Sequence, residues 1–316
     1  MKLIRSALAG LALAASLAGA ASNTALAETT LTVHYPMPGF FKDVMDTISQ
    51  KFMSEHPDIK IVFASPSPTY EDGLQQILRQ AGTAEMPDIT FIGLNRLRVV
   101  AERGISVDLK PFVETDGRMA EQGFSDHILG LAQFGGQQAG LAFATSNPIM
   151  YMNADLVRKA GGNPDTPPRT WDEVLALGAR IKALGDGVDG IDFRWQGDDW
   201  MFSALLFGAG GDMLSADEKK VAFDGEEGLA AFTLVQRMVK EGGMPVFTKS
   251  AGEQAFVAGK VGLEFQTTGA LRNTIKNVGD KFELRTAPIP LLDPAKGQLP
   301  TGGNAAVMLT RDPAKQ

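Results

Sequence analysis

Beyond an apolar N-terminal stretch, short apolar runs alternate with segments whose apolar positions recur at helical spacing. Residues 31–35 read as a strand, and Phe41, Val44, Ile48 and Phe52 mark one face of the helix that follows. Residues 59–63 form a second strand, residues 74–78 fall in a second helix, and residues 88–93 form a third strand after Pro87. This order predicts an α/β fold with a mostly parallel sheet covered on both faces. Ligands gather at the carboxyl ends of such strands, here residues 34–37, 65–70 and 93–95. Farther on, a helix over residues 171–184 has a legible start. Thr170 can cap it while Glu173 reaches back, and Pro167 and Pro168 stiffen the approach. Helical spacing returns over residues 226–240 and 253–258, followed by a strand at 261–266 and a short helix at 269–277. Further strands are expected at 282–290 and 305–309.

One stretch stands apart. In "AFATSNPIMYMNADL", beginning at Ala142, small and hydroxyl-bearing residues lead through Asn147 and Pro148 into the apolar run Ile149, Met150, Tyr151 and Met152. A bare, hydrogen-bonding patch at the mouth of a core strand suits a crossing between two lobes with a ligand beside it.

Composition narrows the class. The 316 residues suffice for two lobes of ordinary size, and 44% apolar with 21% charged residues is a globular balance. Lys2 and Arg5 precede an apolar stretch over residues 7–21, and Ala25, Leu26 and Ala27 supply a cleavage pattern. Residues 1–27 therefore read as an export signal, cut between Ala27 and Glu28. Its loss takes the net charge from −7 to −9, since Lys2 and Arg5 are its only charged groups. Nucleic-acid binding needs clustered Lys and Arg, and no such cluster occurs. With no cysteine there is neither a disulfide nor a lipid-bearing thiol, which points to a free periplasmic protein.

Catalytic arrangements are scarce. His34, His56 and His127 have no metal-ligand spacing, and no phosphate loop or nucleophile elbow is present. "FGAGGDM" and "GDGVDGID" read as turns. Asp198 and Asp199 form the one candidate acid pair, but adjacent residues at a helix start do not face each other.

"GLAFATSNPIMYMNADLVRKAGGNPDTPPRTWDEV" resembles the most recognisable stretch of the extracellular solute-binding proteins, family 1, of sugar-type ABC importers. "VHYPMPG", "FVAGKVGLEFQTTGALRNTI" and "PTGGNAAVML" fit the same family in order, and "HYPMPG", "TYED" and "WQGDDW" look closest to its glycerol-3-phosphate-binding branch. The resemblance implies a two-lobed periplasmic-binding-protein-like fold of type II, closing over a solute at hinge strands. Residues 28–144 with 302–316 would make lobe one and residues 145–301 lobe two, with the rest of both lobes lying past residue 316. It implies a monomer that takes a sugar, polyol or glycerol phosphate to an ABC permease, with no cofactor, metal or nucleic acid.

The site it implies comprises Tyr70, Asn95, Ser146, Trp195, Thr268, Gly303 and Asn304, with Trp200 a weaker member. Where the family often carries an acid, this chain has Leu94 and Asn95, so hydroxyl recognition there would rest on the Asn95 amide. Arg96, Arg194 and Arg272 are the candidate partners of a phosphate. Two alternatives remain: an exported solute sensor, and an exported hydrolase using Asp198 or Asp199.

Overall fold

The apolar runs settle into two sheets, joined by a crossing one residue long. A computed structural model describes residues 29–195, 199–246 and 248–316, so the expected export signal and Asp198 lie outside the described residues. The strands are β1 (Thr29–His34), β2 (Ile59–Phe63), β3 (Ile89–Gly93), β4 (Gln133–Phe134), β5 (Gln137–Gln138), β6 (Leu141–Ser146), β7 (Pro148–Asn153), β8 (Asp189–Phe193), β9 (Val261–Thr267), β10 (Leu284–Pro288) and β11 (Gly302–Met308). One sheet has the order β2-β1-β3-β11-β6 and the other β10-β7-β9-β8, while β4 and β5 form a small hairpin. Each sheet, with its helices, is one lobe.

The parallel arrangement expected of the first three strands is present, since β1 runs parallel to both β2 and β3. Beyond them it fails. β11 is antiparallel to β3 and β6, β7 is antiparallel to β9 and β10, and only β8 with β9 is parallel in the second sheet. Strands that enter a sheet from the other lobe are not bound by the strand–helix–strand crossover that enforces parallel pairing.

Both faces of each sheet are covered, as strict alternation shows. Met150 and Met152 pack with Trp171, Ile191 and Phe265, whereas Tyr151 between them points to Phe256 and Phe282. In the first sheet Ile92 joins Ile77, Leu97 and Val307, and its neighbour Phe91 turns to Val33, Tyr35 and Met45. With period-2 side chains, one strand thus feeds two cores.

The helix Pro38–Glu55 differs from expectation. Its buried residues are Met45 and Ser49, while Val44, Ile48 and Phe52 are 39%, 41% and 37% exposed. Phe41 does pack beside the core formed by Val33 and Met45, so the buried stripe runs 41, 45, 49 and is rotated from the one read in the sequence. Three-residue and four-residue steps both lie on one helix face, and the choice between them is made by what the sheet presents. No helix among the described residues is long and apolar enough to cross a membrane.

The helix Trp171–Lys182 begins as its sequence dictates. Thr170 Oγ1 accepts the Glu173 N–H at 3.3 Å, and Glu173 Oε2 accepts the Thr170 N–H at 3.2 Å. Trp171, at the first helical position, then enters the core against Phe265. Thr170→Ala removes one half of this capping box, and is expected to lower unfolding stability by about 1 kcal/mol in a denaturant titration, with Thr170→Ser close to wild type.

Candidate functional site

The order β2-β1-β3 means the chain leaves β1 in one direction and arrives at β3 on the other side. Such a switch point leaves a crevice at the strand ends. Here the crevice faces the second lobe, and a cavity of about 390 Å3 lies between them. Its walls include Met37, Phe40, Tyr70 and Asn95 from one lobe and Arg194, Trp200 and Gln266 from the other. Thr145, Ser146, Thr301, Gly302 and Gly303 close it along the crossings.

Tyr70 is held from three sides. Thr69 caps the helix Tyr70–Gln80 by accepting the Asp72 N–H at 3.1 Å, which places Tyr70 in the first turn. The ring lies over Gly93, where a Cβ would come within 3.1 Å of Cγ. The fully buried Asn304 donates from Nδ2 to Tyr70 Oη at 3.0 Å. Burial pushes the phenol up to about 12 despite that hydrogen bond, so it stays neutral. Behind it His34 is buried between Thr90 Oγ1 and Ser67 Oγ, both at 2.9 Å from its ring nitrogens, and burial lowers its pKa.

Trp200 stands in the first turn of the helix Asp199–Gly208 and packs partly on the second lobe's core. Its ring approaches the returning chain closely, for a Cβ on Gly302 would sit 2.7 Å from the indole and 2.9 Å from Ser146 Oγ. At Gly303 φ is +117°, and a Cβ would collide with the Ala144 carbonyl oxygen, so glycine is required there. The buried indole Nε1 of Trp200 has no hydrogen-bond partner among the described residues.

A buried polar stripe underlies the second lobe's wall. The register pairs Tyr151 with Glu264 and Glu264 with Asp192, putting three polar side chains in one row across β7, β9 and β8. Arg194 joins them, donating from Nη1 to Glu253 at 2.7 Å and from Nη2 to Glu264 at 2.6 Å. Gln266 Nε2 donates to the other Glu264 oxygen at 2.8 Å. Burial pushes Glu264 up to about 7 and Asp192 up to about 6, each against the pull of Arg194.

Polar contacts also cross the cleft. Arg96 donates to Glu71 at 2.8 Å and to Asn95 Oδ1 at 2.9 Å on its own lobe, and to Asp199 at 3.3 Å on the other. Arg98 pairs with Glu218, and Asn273 Nδ2 donates to the Gly39 carbonyl at 3.4 Å.

Of the residues expected from the sequence, Tyr70, Asn95, Ser146 and Gly303 line the cavity, and Asn304 sits directly behind Tyr70. Thr268 does not line it. Its hydroxyl accepts the Asn147 N–H at 3.1 Å and its own N–H donates to the Asn147 carbonyl at 2.9 Å, so it is used up locking the crossing. Its neighbours Thr267 and Gly269 reach the cavity instead. Trp195 also stays outside it, packed on the second lobe's core after β8. Arg272 is exposed and does not line it.

Gln266 escaped the sequence reading, although a signal existed. In "VGLEFQT" a Glu and a Gln occupy alternate places of an otherwise apolar strand that is buried throughout most of its length. Buried polar side chains at period two need partners on that face.

With this geometry in place, resemblance to known proteins becomes informative. Residues 36–316 match the family model of the bacterial extracellular solute-binding proteins. The chain belongs to that family. It is 27% identical over 275 residues to the sn-glycerol-3-phosphate-binding periplasmic protein UgpB of Escherichia coli K12, covering 79% of this chain and 58% of that protein. To UgpB of Salmonella paratyphi A it is 28% identical over 288 residues, covering 83% and 61% respectively. The chain therefore spans about three fifths of the length of these curated relatives. Among solved structures, a solute-binding protein of Thermotoga lettingae bound to α-D-tagatose superposes with a TM-score of 0.78 at 20% identity, covering 91% of this chain and 74% of that one. UgpB of Mycobacterium tuberculosis with glycerophosphocholine gives 0.77 at 18%, covering 90% and 71%. These likenesses establish the two-lobed fold.

The raised Glu264 makes a pH prediction for this family member. Its folded pKa of about 7 lies above the ordinary glutamate value of 4.5, so near neutral pH the folded chain holds a proton the unfolded chain has lost. That contribution to stability is complete below pH 4.5 and disappears as pH rises through 7. Glu264→Gln should flatten the change in unfolding free energy between pH 5 and 7.5 relative to wild type, by about 1–3 kcal/mol, measured by paired denaturant titrations.

Proposed function

We propose that this protein is the binding component of an ABC importer, capturing a small hydroxylated solute by closing two lobes and presenting it to a membrane permease. The observation that carries this is the cavity itself: one space of about 390 Å3 walled by Tyr70 and Asn95 on one side and Trp200 and Gln266 on the other. A volume in this range suits a small molecule, and an aromatic plate with a few placed polar groups suits a sugar or polyol face. Contacts that cross the cleft, such as Arg96 with Asp199, are possible only when the lobes are close. Ligand then favours closure by binding the closed form better than the open one.

In this reading residues 28–144 with 302–316 form one lobe and residues 145–301 the other, and residues 1–27 direct export to the periplasm. Tyr70, Asn95, Ser146 and Gly303 touch the solute together with Trp200, the weaker member expected from the sequence, and Gln266 is added from the geometry. Asn304 sets the Tyr70 hydroxyl, and Thr268 serves the hinge. Support for a sugar or glycerol phosphate as cargo comes from the names carried by relatives, among them the glycerol-3-phosphate-binding protein of E. coli and the tagatose-bound protein of T. lettingae. Asp199, on which the hydrolase alternative depends, is bound by Arg96 and acts here as a closing contact.

A thermal-shift and calorimetric screen of sugars, polyols and glycerol phosphates tests the reading. A cognate solute at a hundred times its Kd should add about 2.7 kcal/mol of stability, or about 5–10 °C in Tm. Trp200→Ala should weaken binding about tenfold or more. A folded sample that responds to no compound in the three classes would sink the assignment.

A further inference from the structure

Among the described residues, the cavity lining has two guanidinium groups and no lysine or histidine. Both guanidiniums are held by carboxylates, although Arg194 Nε itself makes no hydrogen bond among the described residues. Each terminal nitrogen of Arg194 already holds a carboxylate, Glu253 or Glu264, and its Nε lies 4.0 Å from Asp192. Arg96 is shared among Glu71, Asn95 and Asp199. Five carboxylates thus surround two cations. If Asp192 and Glu264 are both counted as neutral, three carboxylates still face two cations.

One opposing feature must be weighed. The helix Pro38–Glu55 opens on the cavity through Met37 and Phe40 without an acidic residue in its first turn or a side-chain cap. Its N-terminus contributes a partial positive charge of about one half, less than the full negative charge of any one of the carboxylates around the two guanidiniums. Two other α-helix starts at the cavity carry acids of their own, Glu71 with Asp72 and Asp199, while the short 3-10 turns Leu94–Arg96 and Thr268–Ala270 carry none.

The polar atoms left without partners point the same way. Gln266 Oε1 is a buried acceptor and Trp200 Nε1 a buried donor, both on cavity-lining residues and both unpaired among the described residues, as is Arg194 Nε, which lies 4.0 Å from Asp192. Ser146 adds a hydroxyl. A hydroxyl group of a ligand can donate to the amide oxygen and accept from the indole, whereas a phosphate dianion only accepts. Resting on the solute-capture reading, we propose that this cavity selects an uncharged polyhydroxylated solute, a sugar or polyol, and discriminates against its phosphate monoester. The cargo named for the glycerol-3-phosphate-binding relatives accordingly does not transfer to this chain.

Isothermal titration with matched pairs decides it: neutral sugars and polyols, each beside its own phosphate monoester, with glycerol and sn-glycerol 3-phosphate among them. The expected result is a neutral binder whose phosphate ester is at least about tenfold weaker, a gap of about 1.4 kcal/mol. A phosphate ester that binds as tightly as its neutral partner, or tighter, overturns the inference and leaves solute capture standing. Binding of neither class by a folded sample removes both. A second measurement uses the exposed acids that occupy Arg96. The double variant Glu71→Gln with Asp199→Asn should shrink the neutral-to-phosphate affinity ratio about tenfold, the scale of one charge-assisted contact. A ratio that does not move would also overturn it.

Discussion

Asn147 alone stands between β6 of one sheet and β7 of the other, and both of its backbone groups are bound by Thr268. Everything about the cleft depends on this short, pinned crossing. A backbone held at both its N–H and its carbonyl cannot swing freely, so the two sheets meet at a defined edge. Beside it runs β11, returning from the second lobe and pairing Gly303 with Thr145 and Gly302 with Ser146. Two glycines in succession let that returning strand press against the outgoing one and against the Trp200 ring, where a Cβ at either position would intrude. The small residues at the crossing are therefore a consequence of two backbones and an indole sharing one narrow space.

Around this edge the two lobes contribute different chemistry. The first offers a phenol kept protonated by burial, an amide, the apolar Phe40 and Phe41, and the Arg96–Glu71 ion pair. The second places a compact ionic cluster beneath its wall, with Arg194 enclosed by Asp192, Glu253 and Glu264. Burying such a cluster stabilises little by itself, because desolvation offsets much of the attraction. What it does provide is a stiff support for Gln266, whose amide nitrogen is tied down and whose oxygen is left for a partner. The site is thus presented by groups whose own donors are largely spoken for.

The contacts across the cleft belong to a different level. Arg96 joins the Asp199 carboxylate and Asn273 donates to the Gly39 carbonyl across the cleft, between surfaces that would separate if the lobes open as proposed. Exposed ion pairs contribute only about 0–1 kcal/mol. Contacts of that size fit the proposed two-state closure, in which a solute making several hydrogen bonds would outweigh them.

Much of this could be read from the residues alone. Period-two and helical spacing located β1, β2, β3 and β9 and the helix Glu226–Lys240, and Thr170 with Glu173 marked a helix start to the residue. Those signals are local, because hydrogen bonding and side-chain spacing within one element depend on near neighbours. The ordered family motifs, in turn, carried the two-lobed architecture and singled out Tyr70, Asn95, Ser146 and Gly303, which line the cavity between the lobes. Tertiary structure decided the remainder. Which stripe of the helix Pro38–Glu55 is buried, whether Thr268 faces a cavity or the hinge, and whether Arg194 is free or enclosed all depend on segments distant in the chain. Polarity in a sequence says that a side chain needs a partner; only the fold says whether that partner is already present.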